Sequence, residues 1–90
     1  MNNLTLYCQG YLCKDWLKRS ENSKYVVNTI AVHTSKEKTE FIDLVCNEKK
    51  VKGTKGEKLD IYGLPIVNVY KGKSKWMIFV DRIYDFKQEN

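Results

Sequence analysis

Histidine occurs once in this chain, proline once, and cysteine three times. With His33 as the lone imidazole, no clustered carboxylates, no Gly-rich phosphate loop and no nucleophile beside an evident base, the usual catalytic constellations are missing and an enzyme is not expected. Cys8, Cys13 and Cys46 are an odd number at irregular spacing. That suits neither a disulfide framework nor a four-ligand zinc site, so neither metal nor cofactor is expected. No apolar run approaches the ~18 residues of a membrane span. The opening MNNLTLYCQG has no signal-peptide pattern, which leads us to expect a cytoplasmic protein. No repeat or low-complexity segment appears.

What is present suits one soluble domain over residues 1–90. Hydrophobic residues make up 42% and charged residues 30%, too apolar for a disordered chain. A chain of this size buries only a little over ~60% of its unfolded surface, so self-association would help its stability. Sixteen Lys and Arg against eleven Asp and Glu leave a charge of +5, a surplus that attracts polyanions. The cations cluster: Lys49, Lys50, Lys52, Lys55 and Lys58 within ten residues, and Lys71, Lys73 and Lys75 in alternation.

Between these clusters the hydropathy pattern is that of strands. From Leu4 to Cys13 the residues alternate, with Leu4, Leu6, Cys8, Gly10 and Leu12 on one side and Tyr7, Gln9 and Tyr11 on the other. Gly10 suggests a bend or bulge. Residues 14–24 are polar apart from Trp16 and Leu17 and read as a loop, with Trp16 as a hydrophobic plug beneath it. Tyr25–His33 is rich in β-branched residues, and Thr39–Cys46 pairs back across a short connection. Residues 47–58 hold at most one helical turn. Leu59–Tyr62 resumes the sheet, Gly63 marks a second bend, and Pro65 marks an edge or a bulge. Trp76–Phe86 forms the last strand. Five strands with bends in the first and fourth predict an all-β, five-stranded Greek-key barrel of the OB-fold type, with an SH3-like barrel as the alternative.

Strands carrying aromatic rings between cationic loops suit an unpaired nucleic-acid strand, whose bases stack on the rings while cations follow the phosphates. Tyr70, at the mouth of the second lysine cluster, is either a stacking residue or a strand-end tyrosine. Phe41 either stacks or enters the core, and Trp76 either stacks or caps the barrel. Tyr7 and Tyr11 face a ligand or a partner subunit. Lys14, Lys18, Arg19, Lys49, Lys50, Lys52, Lys55, Lys71, Lys73 and Lys75 are the candidate phosphate contacts. The last strand is apolar on both faces, with Trp76, Ile78 and Val80 on one and Met77 and Phe79 on the other. The second face predicts an interface with another copy or another protein.

Several segments also resemble, in order, the bacterial single-stranded DNA-binding proteins. Gly10-Tyr11-Leu12-Cys13-Lys14-Asp15 resembles the G-x-L-x-x-D stretch closing their first strand, and Thr29-Ile30-Ala31-Val32 their T-L-A-V second strand. Thr39-Glu40-Phe41-Ile42 resembles the step that opens the third strand. Lys55-Gly56 followed by Ile61-Tyr62-Gly63 is similar to the passage into the fourth. The resemblance implies an OB-fold that binds single-stranded DNA without sequence preference, usually as an oligomer, in replication, recombination or repair. It places Phe41 and Tyr70 at stacking positions and Asn47 where a third aromatic is usual. The three-turn helix between the third and fourth strands is absent. So is the long acidic-tipped tail, which leaves tail-mediated recruitment unexpected. In the expected lack of a tail the chain is similar to the short primosomal accessory relative of the family. Two other readings stay open: a protein-interaction subunit docking on a DNA polymerase, primase or helicase, and RNA binding.

Overall fold

Alternation in the first segment becomes β1 (Leu6–Leu12), whose Gly10 and Leu12 are buried while Tyr7 and Tyr11 stay exposed. This computed structural model describes residues 4–86. The remaining strands are β2 (Leu17–Lys18), β3 (Tyr25–His33), β4 (Thr39–Asn47), β5 (Lys58–Tyr70) and β6 (Lys73–Asp85). The five expected strands are all present. The two-residue β2 is an addition, lying in the segment read as loop, where Leu17 and Lys18 pair with Val27 and Val26.

Pairing runs β1-β5-β6-β4-β3 and closes where β1 meets β3 at Tyr11↔Ala31 and Leu12↔Ile30. Every contact in the ring is antiparallel except β4 with β6, which is parallel. Five strands closed in that order form the Greek-key OB barrel. The core fills it with Leu12, Ile30, Leu44, Cys46, Leu59, Ile61 and Val80, all fully buried.

Two glycines let the ring close. A Cβ at Gly10 would collide with the Ala31 carbonyl, at the point where β1 passes from β5 to β3. A Cβ at Gly63 would collide with the Phe79 carbonyl, and here the β5–β6 register shifts by a bulge. Beyond Gly63, β5 has left β1 and pairs only with β6. That open edge accommodates Pro65, so β5 continues through it unbroken to Tyr70. Residues 64–70 and 73–77 thereby form a two-stranded arm, turned at Lys71-Gly72 with φ of 51° and 77°, as a two-residue hairpin requires.

No helix occurs among the described residues. The barrel end that a helix would cap is covered by the 48–57 loop and by Trp16. Trp16 packs against the core together with Val51 and donates from Nε1 to the Lys52 carbonyl at 3.1 Å. Trp16 is thus the plug expected of it. The Lys55 N–H donates to Asp15 Oδ1 at 2.9 Å, tying the same two loops together.

Candidate nucleic-acid interface

A strand of period two must send half its side chains away from the core. In β3 these are Tyr25, Val27, Thr29 and Ala31; in β4 they are Phe41, Asp43, Val45 and Asn47. The register aligns them in rows that continue into β6: Val27 with Val45 and Phe79, and Thr29 with Asp43 and Met77. The rows make the floor of a cleft. Tyr25 and Phe79 meet edge to face over it, with centroids 5.7 Å apart, and Val45 is only 8% exposed although it lies outside the barrel core.

Two walls rise from this floor. The arm supplies Ile66 and Asn68, and the loop between β1 and β3 supplies Lys14 and Arg19. Two adjoining hollows of ≈ 240 and ≈ 310 Å³ share Arg19, Asn68 and Met77. The loop wall is fixed by Asn28, 2% exposed, which donates from Nδ2 to the Lys14 carbonyl at 2.8 Å. The Cys13 N–H donates to the Thr29 carbonyl at 2.9 Å beside it. A buried amide with both of its ends bonded holds a cationic loop at the edge of an apolar floor.

Phe41 is 63% exposed and so does not enter the core. It borders a separate apolar cleft of ≈ 410 Å³, between the start of β4 and the arm, which Leu6, Ile42, Pro65, Trp76 and Ile78 also line. Trp76 shares the Ile78 side of β6 but lies on the arm, beyond the barrel, and is 65% exposed. Tyr11 is opposite Ala31, which is opposite Phe41, so the two rings flank one small residue. Tyr11 also meets His33 edge to face at 5.9 Å, with Lys58 Nζ 5.7 Å from its centroid. The Tyr70 backbone ends β5 opposite Lys73; its side chain lies outside the described residues.

The candidate cations separate into two groups. Lys14 and Arg19 line the cleft, and Lys75 reaches its floor through an ion pair with Asp43 of 2.9 Å. Lys71 lies in the turn of the arm and Lys73 follows it. Lys49, Lys50, Lys52 and Lys55 lie in the 48–57 loop at the capped end and line neither hollow of the cleft. Lys50 pairs with Asp81 at 3.4 Å, Lys52 with Asp85 at 3.2 Å and Lys18 with Glu48 at 3.0 Å. Exposed pairs of this kind are worth ~0–1 kcal/mol, so exchanging a carboxylate for a phosphate costs little.

Sequence reasoning passed over Tyr25, Asp43 and Asn68, and assigned Met77 and Phe79 to a partner interface. The alternation of Tyr25, Val27 and Thr29 was available as a signal. The parallel β4–β6 contact that brings Phe79 to Tyr25 was not.

The described residues offer no group of His, Cys, Asp and Glu able to hold a metal. Burial raises the Cys8 and Cys46 thiols to about 11, so neither is a thiolate near neutral pH. No described helix is long and apolar enough to cross a membrane.

No protein-family model matches the chain, and no curated protein does. Solved structures do. The N-terminal domain of PriB from Thermoanaerobacter tencongensis, described as dimeric, superposes with a TM-score of 0.71 at 13% identity, covering 93% of this chain and 97% of that one. The mitochondrial single-stranded DNA-binding protein Rim1 of S. cerevisiae gives 0.69 at 12% identity over 99% of each chain. A small single-stranded DNA-binding protein of Streptomyces coelicolor gives 0.66 at 16% identity, covering 96% of this chain and 95% of that one. Near-complete coverage at such low identity establishes a shared fold.

Proposed function

We propose that this protein binds single-stranded DNA in replication, recombination or repair, by base stacking and lysine–phosphate contacts. The observation that carries the reading is the cleft over β3 and β4. Its apolar, aromatic floor lies between a cationic loop and an arm turned by lysines. Bases stack on Tyr25, Phe79 and Phe41, while Lys14, Arg19 and Lys75 displace counterions from the backbone. Tyr70, Trp76 and Tyr11 extend the stacking surface, and Lys18, Lys71 and Lys73 its electrostatic rim. Lys49, Lys50, Lys52 and Lys55 meet a strand only if it continues around the capped end. The names of the superposing proteins support this reading. The chemistry is binding alone, and we place the protein in the cytoplasm, away from membranes.

Self-association is part of the proposal, with a different surface from the one β6 alone suggested. In this reading Met77 and Phe79 belong to the cleft floor. The opposite side of the barrel carries Tyr7, Tyr62 and Tyr84 in contact across β1, β5 and β6, with centroids 5.0 and 5.8 Å apart. Arg82 lies over Tyr62 at 5.2 Å, and Tyr7 donates to Asp60 at 2.8 Å. A second reading, docking on a polymerase, primase or helicase, is favoured by the apolar cleft beside Trp76, which suits a protein side chain as well as a base. Titrating intrinsic tryptophan fluorescence with oligo-dT, duplex and RNA at two salt concentrations tests the first reading. Quenching by single strands alone supports it; no response at low salt, with co-purification of a replication enzyme, supports the second.

A further inference from the structure

A carboxylate is an unexpected group on the floor of a cleft that binds a polyanion. Of the residues that β3 and β4 turn outward into the cleft, Asp43 alone is charged. The fold does not require it there: the side chain points away from the core and is 35% exposed. Each of its oxygens nevertheless has a partner. Thr29 Oγ1 donates to Oδ1 at 3.2 Å, and Lys75 Nζ donates to Oδ2 at 2.9 Å. A carboxylate has about four lone-pair sites, so two bonds leave each oxygen able to accept another.

We propose that Asp43, with Lys75 beside it, reads guanine in the bound strand; this rests on the single-stranded DNA reading above. Repulsion of phosphates by the carboxylate keeps the backbone on the cationic rim and turns base edges towards the floor. The Watson–Crick edge of guanine carries two adjacent donors, N1–H and N2–H₂, next to the O6 acceptor. The Asp43–Lys75 pair presents the complement, a carboxylate next to an ammonium, and at a guanine Lys75 meets O6 in place of a phosphate. Thymine offers a single N3–H between two carbonyl oxygens, so one of these faces the carboxylate unfavourably. Adenine and cytosine each offer one amino group and no second donor beside it. Phe41 precedes Asp43 by two residues, about 7 Å along the strand, so a base resting on that ring has its neighbour near the carboxylate. Asn68 on the facing wall can donate or accept and closes the same hollow.

The test compares labelled oligo-dT with the same strand carrying one dG, one dA or one dC. The dG strand should bind about five-fold or more tightly than oligo-dT, at the lower end for a base-specific bidentate contact because the site is open to water. Asp43→Asn is isosteric and should remove the dG advantage; because it also lifts the repulsion of phosphates and frees Lys75, the readout is the dG-to-dT affinity ratio within the variant, which should fall to about one. Thr29→Val, which frees Asp43 without removing its charge, should reduce the advantage, and it substitutes for Asp43→Asn if that variant does not fold. Equal affinity of the wild type for all four strands overturns the proposal, as does a dG advantage that survives Asp43→Asn. Failure of the wild type to bind any of the strands overturns the single-stranded DNA reading itself, a distinguishable result.

Discussion

Tyr25 and Phe79 stand 54 residues apart in sequence and meet edge to face at 5.7 Å, one on β3 and one on β6, with β4 between them. The contact exists because β6 runs parallel to β4 and places Phe79 beside Val45. It makes a continuous aromatic floor from two rings that are each half-exposed or less.

If this floor stacks bases, Tyr25→Ala and Phe79→Ala each weaken oligo-dT binding by roughly five- to hundred-fold, and Tyr25→Phe costs little. Because the rings touch, the double variant should lose less than the sum of the two. Phe79→Lys discriminates further. A cleft residue loses stacking with the oligomeric mass unchanged, whereas an interface residue changes the mass in light scattering.

The salt dependence of binding reports which lysines meet phosphate. Each neutralised phosphate on a single strand contributes a slope of ~0.7 log units per log salt. Replacing Lys71, Lys73 and Lys75 together should flatten the slope by about two. Replacing Lys50 and Lys52, whose ion pairs with Asp81 and Asp85 hold them at the capped end, should change it less. The reverse ranking would move the strand's path to the 48–57 loop.

Aromatic residues on and beside the arm separate DNA binding from protein docking. Tyr70→Ala should weaken oligo-dT binding and Tyr70→Phe should not, since stacking needs the ring and not the hydroxyl. Phe41→Trp should preserve binding at an exposed position that accommodates a larger ring. Trp76→Ala should remove much of the fluorescence response. Normal DNA binding by Tyr70→Ala together with loss of a protein partner would make this face a docking surface.

A half-buried thiol, Cys8, and a buried one, Cys46, make stability depend on alkaline pH. Burial raises Cys8 and Cys46 from 9.0 to about 11, and Asp60 adds to the effect at Cys8. Between those values the unfolded chain releases protons that the folded chain retains, so the stabilisation is fully present below about pH 9 and is lost as pH rises towards 11. Urea midpoints measured across this range should fall, and Cys8→Ala should shrink the fall. An unchanged pH profile in Cys8→Ala would assign the decline to other groups.

The barrel was legible where a residue's own neighbours decide its place. Alternation from Leu4 to Cys13 set Gly10 and Leu12 apart from Tyr7 and Tyr11, Gly63 marked a bend, which the structure realises as a bulge, and Pro65 marked an edge or a bulge, of which the edge is found. What stayed hidden depends on contacts distant in sequence. Two residues, Leu17 and Lys18, are too few to show a period, so β2 was not visible. The second apolar face of β6 called for a covering, but only the parallel β4–β6 contact shows that Tyr25 partly supplies it. The lysines of the 48–57 loop looked like a single cationic patch until the path of that loop brought Lys50 to Asp81 and Lys52 to Asp85.

The central claim is that the cleft over β3 and β4 binds an unpaired DNA strand, and anisotropy of a labelled oligo-dT tests it most directly. With wild type and Tyr25→Ala/Phe79→Ala titrated side by side at low salt, we expect saturable wild-type binding that duplex of equal length competes for poorly. The double variant should bind at least ten-fold more weakly, from two lost stacking contacts. Equal binding by the two proteins, or equal competition by duplex, would contradict the account.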